Sequence, residues 1–500
     1  MFKFNNLLII TLLFFLILTS NNNAFSKDLN KAKGPGLTVY NQNFALVKDY
    51  IILNLTNGIN ELEISDIASL IDPTSVTLKN LSSPESVIIK EQNYRYDLID
   101  KSTILDKMVG KSIKFRKDNE TKEGILLNPA TANIRNASSY SSRNSGYFAI
   151  KTPEGILLTS LGDVIIDKLP DGLYPSPTLA WKVDSNRNGN QNLELAYLTD
   201  GINWYADYIA TVDKDDKQID LTAWVTLDNK SGMSYNNASL KLVAGDVRKL
   251  KERRYKDQYL YANGAVGASK SFEEPFKEES FFEYHLYTLK DKTDVKNNET
   301  KQLTLTKAFN IPVTKKFIYD PLRNSYYNWI NQGYYYYRDN RPGSGRDTSK
   351  NNKINVILEL KNSKSNHLGI PLPKGTVRVY KKDNSGDLQF AGEDQIDHTP
   401  EDEKIELYIG DAFDIVGERK AIEYKDLSKA IEVTFEFKIR NHKKQSVEVE
   451  IYERVFGDWE ITNKSQNYTK KDAHTIVFPV RIAAKGETTV TYTISVKRPD

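Results

Sequence analysis

The 500-residue sequence contains no cysteine. This excludes disulfides, thiolate metal sites and thiol nucleophiles, and it removes the thiol to which a lipid could be attached after loss of a leader. No charge predominates either: 69 Lys and Arg stand against 66 Asp and Glu, a net charge of +3. A chain so balanced exerts no global pull on nucleic acid, and no nucleic-acid partner is expected. Beyond the N-terminus no stretch approaches the about 18 consecutive apolar residues of a membrane-spanning helix, so no transmembrane span is expected behind the leader. The short catalytic signatures are absent as well: there is no G-x-S-x-G elbow, no H-E-x-x-H, no phosphate-binding glycine loop and no dinucleotide fingerprint. No cofactor is therefore expected. No fixed-period repeat occurs, which excludes a propeller or solenoid.

The N-terminus carries Lys3, a largely apolar stretch from Leu7 to Leu18, the polar Thr19 to Asn23, and Ala24-Phe25-Ser26 before Lys27. That layout is a cleavable export signal over residues 1–26, with small residues at both ends of the last triplet. A membrane anchor is the alternative. About 12 apolar residues rise only about 18 Å as a helix, against a hydrocarbon core of about 30 Å. The expected location is the periplasm or the medium.

Behind the leader, an apolar fraction of 39% with 11% aromatics is enough to fill cores, and the length implies several domains. The expected class is mainly β, with several antiparallel sandwich or barrel-like domains and few short helices. Residues 27–98 read as an N-terminal β domain, with Asn57-Gly58 closing a hairpin between Tyr50–Asn54 and Asn60–Ile64. Residues 99–180 read as a small barrel-like domain. It has one helix near Ser102–Val109, stopped by Gly110, and short strands after it.

Residues 181–319 read as a sandwich. Its clearest hairpin runs Ile202, Trp204, Ala206, Tyr208, Ala210, Val212 and back through Ile219, Leu221, Ala223, Val225, Leu227, a period of two over eleven and nine residues. Residues 320–353 are rich in tyrosine, asparagine and arginine without apolar periodicity, and read as a loop or linker. Residues 354–500 read as a C-terminal immunoglobulin-like sandwich, anchored by the alternation Ile431, Val433, Phe435, Phe437, Ile439.

The most unusual local feature is the aromatic cluster Tyr326, Tyr327, Trp329, Tyr334, Tyr335, Tyr336 and Tyr337, followed by Arg338 and Arg341. Flat amphipathic rings beside guanidinium groups suit stacking on sugars or a protein-binding patch; packing of a long loop onto the sandwiches uses the same residues. Glu393, Asp394, Asp397 and His398, followed by Glu401, Asp402 and Glu403, offer carboxylates and an imidazole for metal or acid–base work. Thr399-Pro400-Glu401-Asp402 is also a turn signal at which charges are simply solvated. Asp184 to Gly189 opens like a calcium loop, but the twelfth position is Leu195 instead of glutamate. No metal is assigned. The basic run Arg248, Lys249, Lys251, Arg253, Arg254 and Lys256 suits an anionic surface or a solvated linker.

Several segments carry a family resemblance: Leu37 to Val47, Tyr197 to Gly201 through Trp204 to Tyr208, Leu242 to Val247, Asp397 to Pro400, Gly410 to Asp414 and Lys470 to Thr475. On these the chain resembles an uncharacterised family of exported bacterial proteins with a domain of unknown function shared with mucoidy-inhibitor-A-like proteins. The resemblance implies a bacterial envelope or secreted location and β-sandwich domains, and it brings no established site residues. The mucoidy-inhibitor branch has a long coiled-coil insert, whereas this chain has no sustained heptads. The expectation is a non-enzymatic exported protein that binds a protein or glycan partner by its surface. The rival is an envelope hydrolase using acids such as Asp394 or Asp397 on glycan or peptide.

Overall fold

The computed structural model describes residues 34–117, 120–129, 148–249, 275–323, 333–344 and 351–498, with the backbone of a short strand at Ala24–Phe25. The chain is mainly β. Among the described residues there are two α-helices, Lys101–Lys107 (α1) and Gly333–Asp339 (α2), and the strands lie in sheets of four, five, eight and thirteen.

The predicted hairpin forms, with Ile202 opposite Asn229 and Val212 opposite Ile219. Its alternating residues Trp204, Ala206, Tyr208 and Ala210 are buried. Each large polar-tipped ring finds a partner: Trp204 Nε1 donates to the Val243 carbonyl at 3.2 Å and Tyr208 OH to the Pro373 carbonyl at 2.6 Å. Such rings bury much apolar surface only when the polar tip is satisfied. The hairpin packs against the eight-stranded sheet. One core therefore runs from Leu37 through the strands at 202–227 to Leu407.

The proposed hairpin at Asn57-Gly58 does not form. Phe44–Leu55 pairs with Gly36–Tyr40 and Gly189–Asp200, whereas Gly58–Ile64 pairs with Thr178–Ser185 in a different sheet. The chain crosses between sheets here because both flanking strands are long and already paired on both edges. A second crossing, Ser185 to Gly189, lies beside the first, and Asn188 Oδ1 accepts from Asn57 N at 2.6 Å. Gly58 (φ 97°) and Gly189 (φ 93°) supply the left-handed backbone that both corners need.

In the small unit, α1 is capped by Asp100, whose carboxylate accepts from the amides of Ser102 (2.7 Å) and Thr103 (3.1 Å). Leu105 of α1 and Met108, the residue that caps its C-terminus, pack with Ile113, Phe115, Leu126 and Ile150. The strands form an open five-stranded sheet, ordered Gly155–Thr159, Phe148–Thr152, Glu120–Leu126, Ser112–Lys117, Val164–Ile165, with no barrel closure among the described residues.

The long strand Glu299–Tyr319 pairs first with Gln218–Asn229 and then with Lys353–Lys361, joining the hairpin sheet to the C-terminal sandwich. In that sandwich, Ala430–Asn441 lies between Lys404–Asp426 and Glu487–Lys497, while Val447–Arg454 pairs with Thr475–Ile482 in the facing layer. Rings interlock between the layers: Phe478 lies 6.2 Å from Phe437 and 5.5 Å from Tyr492, centroid to centroid. No helix among the described residues is long and apolar enough to cross a membrane.

Candidate functional site

The aromatic run divides. Tyr326, Tyr327 and Trp329 lie outside the described residues. Residues 333–339, read from sequence as loop, form α2, and its two sides have opposite fates. Tyr336 and Tyr337 are buried in the C-terminal core against Phe456 and Phe435. Tyr334 is half-buried. Tyr335 is 46% exposed, with the Arg338 guanidinium 5.0 Å from its ring centroid. Two packed rings thus fix the helix while Tyr335 and Arg338 face solvent. Close seating needs Gly333, where a Cβ would come within 2.4 Å of the Gly457 amide nitrogen.

Beneath α2 lies a feature that strand alternation does not reveal. Arg419 and Glu453 are both buried, and Arg419 Nε lies 2.9 Å and 3.1 Å from the two carboxylate oxygens of Glu453. Tyr492 OH donates to the same carboxylate at 2.5 Å, and the guanidinium lies 3.8 Å from the Phe435 ring centroid. Burial pushes the Tyr336 hydroxyl up to about 12, opposed by the nearby Arg419 cation. The charges are matched and sealed from water, which suits structure rather than turnover.

The acid and histidine set around Asp394 is held by the fold. Asp394 accepts backbone amides on both oxygens, from Gln395 (2.9 Å) and Tyr408 (2.7 Å), and Asp397 accepts from the His398 amide at 2.8 Å. His398 is half-buried between two distant segments. The Lys374 amide donates to its Nδ1 at 3.2 Å, so the hydrogen resides on Nε2. Nε2 faces the Asn41 amide at 3.3 Å, and Asn41 Oδ1 is buried with no other partner among the described residues. Turning that amide so that Oδ1 receives the Nε2 hydrogen satisfies both groups. Both ring nitrogens are then committed, leaving no free lone pair for a general base.

Burial, and secondarily the Lys374 ammonium, hold the His398 pKa below 6.5, against the opposing pull of Asp246 and Asp397. The unfolded chain then takes up the proton more readily than the folded one. The clamp's stabilisation is present above about 6.5 and is lost as pH falls through the lower folded value. We expect His398→Gln to flatten the acid-side loss of stability by up to about one proton in slope, measured by denaturant unfolding between about pH 5 and 8. An unchanged slope would show that His398 is not the group responsible.

The remaining expectations are placed as follows. Among the described residues no group of His, Asp and Glu is arranged to hold a metal ion. Asp184 is 3.5 Å from Lys90, and Leu195 is fully buried in a strand. Lys249 pairs with Asp200 at 2.7 Å and covers the Phe44 ring, and Lys251, Arg253, Arg254 and Lys256 fall outside the described residues.

Among the described residues the most exposed large apolar side chain is Phe413, at 96%. It lies where Lys404–Asp426 changes partner: Asn355 faces Asp411, yet Lys353 faces Val416, so the residues between bulge outward. Gly410, at φ 146°, permits the break. The support is rigid. The Asp411 carboxylate receives Asn355 Nδ2, Tyr408 OH and Lys353 Nζ, each at 2.9 Å, and the Asp414 carbonyl receives the His442 amide at 2.7 Å. Burial pulls the Asp411 pKa upward, but these donors hold it below the usual carboxylate value. Arg323 braces the same set, its guanidinium 4.7 Å from the Tyr408 ring and 3.1 Å from Asn355 Oδ1. Sequence parity with Ile405, Leu407 and Ile415 directs Phe413 inward. The one contrary signal is its position between Asp411 and Asp414 just after a glycine.

Residues 193–500 match a domain of unknown function, DUF4139. No protein of the curated set matches the chain.

Proposed function

We propose a binding role for this chain, which belongs to the DUF4139 family. It is exported and acts in the bacterial envelope by docking a protein partner through its surface. The observation that carries this reading is Phe413, a fully exposed ring on a bulge braced by Asp411, Asn355, Tyr408 and Arg323. Burial of a solvated phenyl ring in a partner lowers the free energy. A rigid support means that little entropy is lost on docking, as at interface anchors. Tyr335 with Arg338 offers a second contact of the aromatic and guanidinium kind that interfaces favour. Residues 1–26 and the resemblance to mucoidy-inhibitor-A-like proteins support the envelope setting.

A protein pocket suits the apolar ring of Phe413, and the neighbouring Asp411 carboxylate is already taken up by Asn355, Tyr408 and Lys353. The hydrolase alternative is disfavoured by the commitment of Asp394, Asp397 and His398 to structural hydrogen bonds. The test is a photocrosslinking residue in place of Phe413 or, as control, of Ser385, in cells that produce the chain. We expect a discrete adduct with another polypeptide from position 413 only, on a chain that has lost residues 1–26 and lies outside the cytoplasm. Absence of any adduct from 413, or retention in the cytoplasm, would contradict the reading.

A further inference from the structure

One sheet edge in this fold is left unguarded. Each other edge strand of four or more described residues carries charge, among them Lys79 of Thr77–Asn80, Lys90 of Val87–Arg95, Lys277 of Phe276–Phe281, Glu393 of Leu388–Ile396, Glu460 of Trp459–Lys464 and Lys470 of Thr469–Asp472. Charges along an edge keep other strands from pairing with it. Gly155–Thr159, the edge of the five-stranded sheet, reads Gly-Ile-Leu-Leu-Thr, without charge, proline or bulge. It pairs only with Phe148–Thr152, so its outer amides and carbonyls meet no strand among the described residues.

The face turned away from α1 is apolar along the same edge. Register places Ile125, Lys151 and Ile156 in one row across three strands, and Leu127, Ala149 and Leu158 in the next. Ile156 and Leu158 are 66% and 67% exposed, Ile125 and Leu127 39% and 40%. On the other face Leu157 lies opposite Ile150 at the rim of the small core. This strand fits its own copy. Antiparallel pairing about a two-fold axis at Leu157 sets Ile156 opposite the partner's Leu158, and each apolar row runs on into the partner subunit. The two small cores meet at Leu157. Glu154, the charge next to the strand, falls opposite the partner's Ser160, so no like charges face each other across the seam. A second copy thus satisfies the edge, the apolar face and the charges together.

We propose that this chain forms a two-fold dimer by antiparallel pairing of Gly155–Thr159 with the same strand of a second copy, which makes one continuous ten-stranded sheet. The contact lies on a different element from Phe413 and is independent of the role proposed for that ring. A five-residue edge with its flanking rows is a small interface, below about 1,200 Å², so the dimer is reversible. Because both partners use the same surface, association closes at two copies. Its apolar character makes it nearly insensitive to salt.

Sedimentation velocity on the purified chain, from micromolar to millimolar concentration and at low and high salt, tests the proposal. We expect a reversible monomer–dimer equilibrium, little changed by salt. Ile156→Lys combined with Leu158→Lys sets like charges across the seam and should weaken dimerisation at least about thirtyfold. Both side chains are exposed, so the melting midpoint should hold. The absence of cysteine allows an independent test of register. Ile156→Cys and Leu158→Cys chains, mixed and oxidised, should give a disulfide-linked heterodimer in preference to either homodimer, because directly opposite Cβ atoms lie about 4.5–5.5 Å apart. Phe413→Asp should dimerise like wild type. A wild-type chain monomeric at every concentration, a double lysine variant that associates like wild type, or homodimers that oxidise as readily as the heterodimer would overturn the proposal. Loss of association in Phe413→Asp would overturn it too, by moving the contact to the bulge. If the wild type is monomeric and a photocrosslinking residue at position 156 captures a different polypeptide in cells, the edge serves another strand and the proposal falls.

Discussion

Replacing Glu453 with alanine is expected to destabilise the C-terminal sandwich by about 3–5 kcal/mol, because it leaves the Arg419 guanidinium buried and unpaired. Glu453 is fully buried and Arg419 is 2% exposed, so water cannot take the lost partner's place without opening the core. The same substitution removes the acceptor of the Tyr492 hydroxyl, a second buried polar group. For a unit of this size the loss lowers the melting midpoint by on the order of 10 °C. The double variant Arg419→Met with Glu453→Leu separates mechanism from mere disruption. With both charges gone the unpaired buried ion is removed, and stability should rise well above that of E453A, staying below wild type by about 1–3 kcal/mol, the cost of the Tyr492 hydroxyl left without its acceptor. A double variant as unstable as E453A would show that shape, not charge pairing, sets the loss.

The second large effect lies within the aromatic run itself. Tyr337→Ala should cost about 3–5 kcal/mol, as expected for a large ring removed from a packed core. Tyr337 is fully buried, and its ring centroid lies 5.0 Å from Tyr336, 6.2 Å from Phe435 and 6.4 Å from Phe456. Tyr337→Phe keeps the ring and loses only the acceptor for the Phe456 amide, 3.3 Å away, at a cost of about 1 kcal/mol. Tyr335→Ala, two positions earlier, should stay within about 0.5 kcal/mol because its ring faces solvent. Thermal unfolding of the three variants checks this ordering. Equal losses for Y335A and Y337A would contradict the assignment of the two rings to opposite sides of α2.

These contrasts show what the sequence made legible. Alternation over Ile202–Val212 and Ile431–Ile439 is long enough to fix both the strand state and the buried face, and those elements stand where expected. The helix at α1 was legible from its apolar spacing and glycine stop. Pairing between strands was less so: Asn57-Gly58 has the letters of a tight hairpin, yet the same letters serve a crossing between sheets when each strand already has two neighbours. The run Tyr334–Tyr337 shows no apolar alternation, since tyrosine suits core and surface alike, and only the fold separates Tyr337 from Tyr335. Phe413 was hidden for the opposite reason. Its parity says core, and a register shift that no local pattern announces turns it outward. Long-range partners such as Asn41 and His398, or Arg419 and Glu453, are set by topology and leave no local signature.

The most direct test places a photocrosslinking residue at Asp414, beside the exposed ring, in chains that carry either Phe413 or Phe413→Asp, with melting midpoints measured on the same two proteins. The account requires an adduct from the Phe413 chain, none from the Phe413→Asp chain, and equal midpoints, since a fully exposed ring contributes nothing to the core. Equal adducts from both chains, or a Phe413→Asp chain that melts well below its parent, would contradict it.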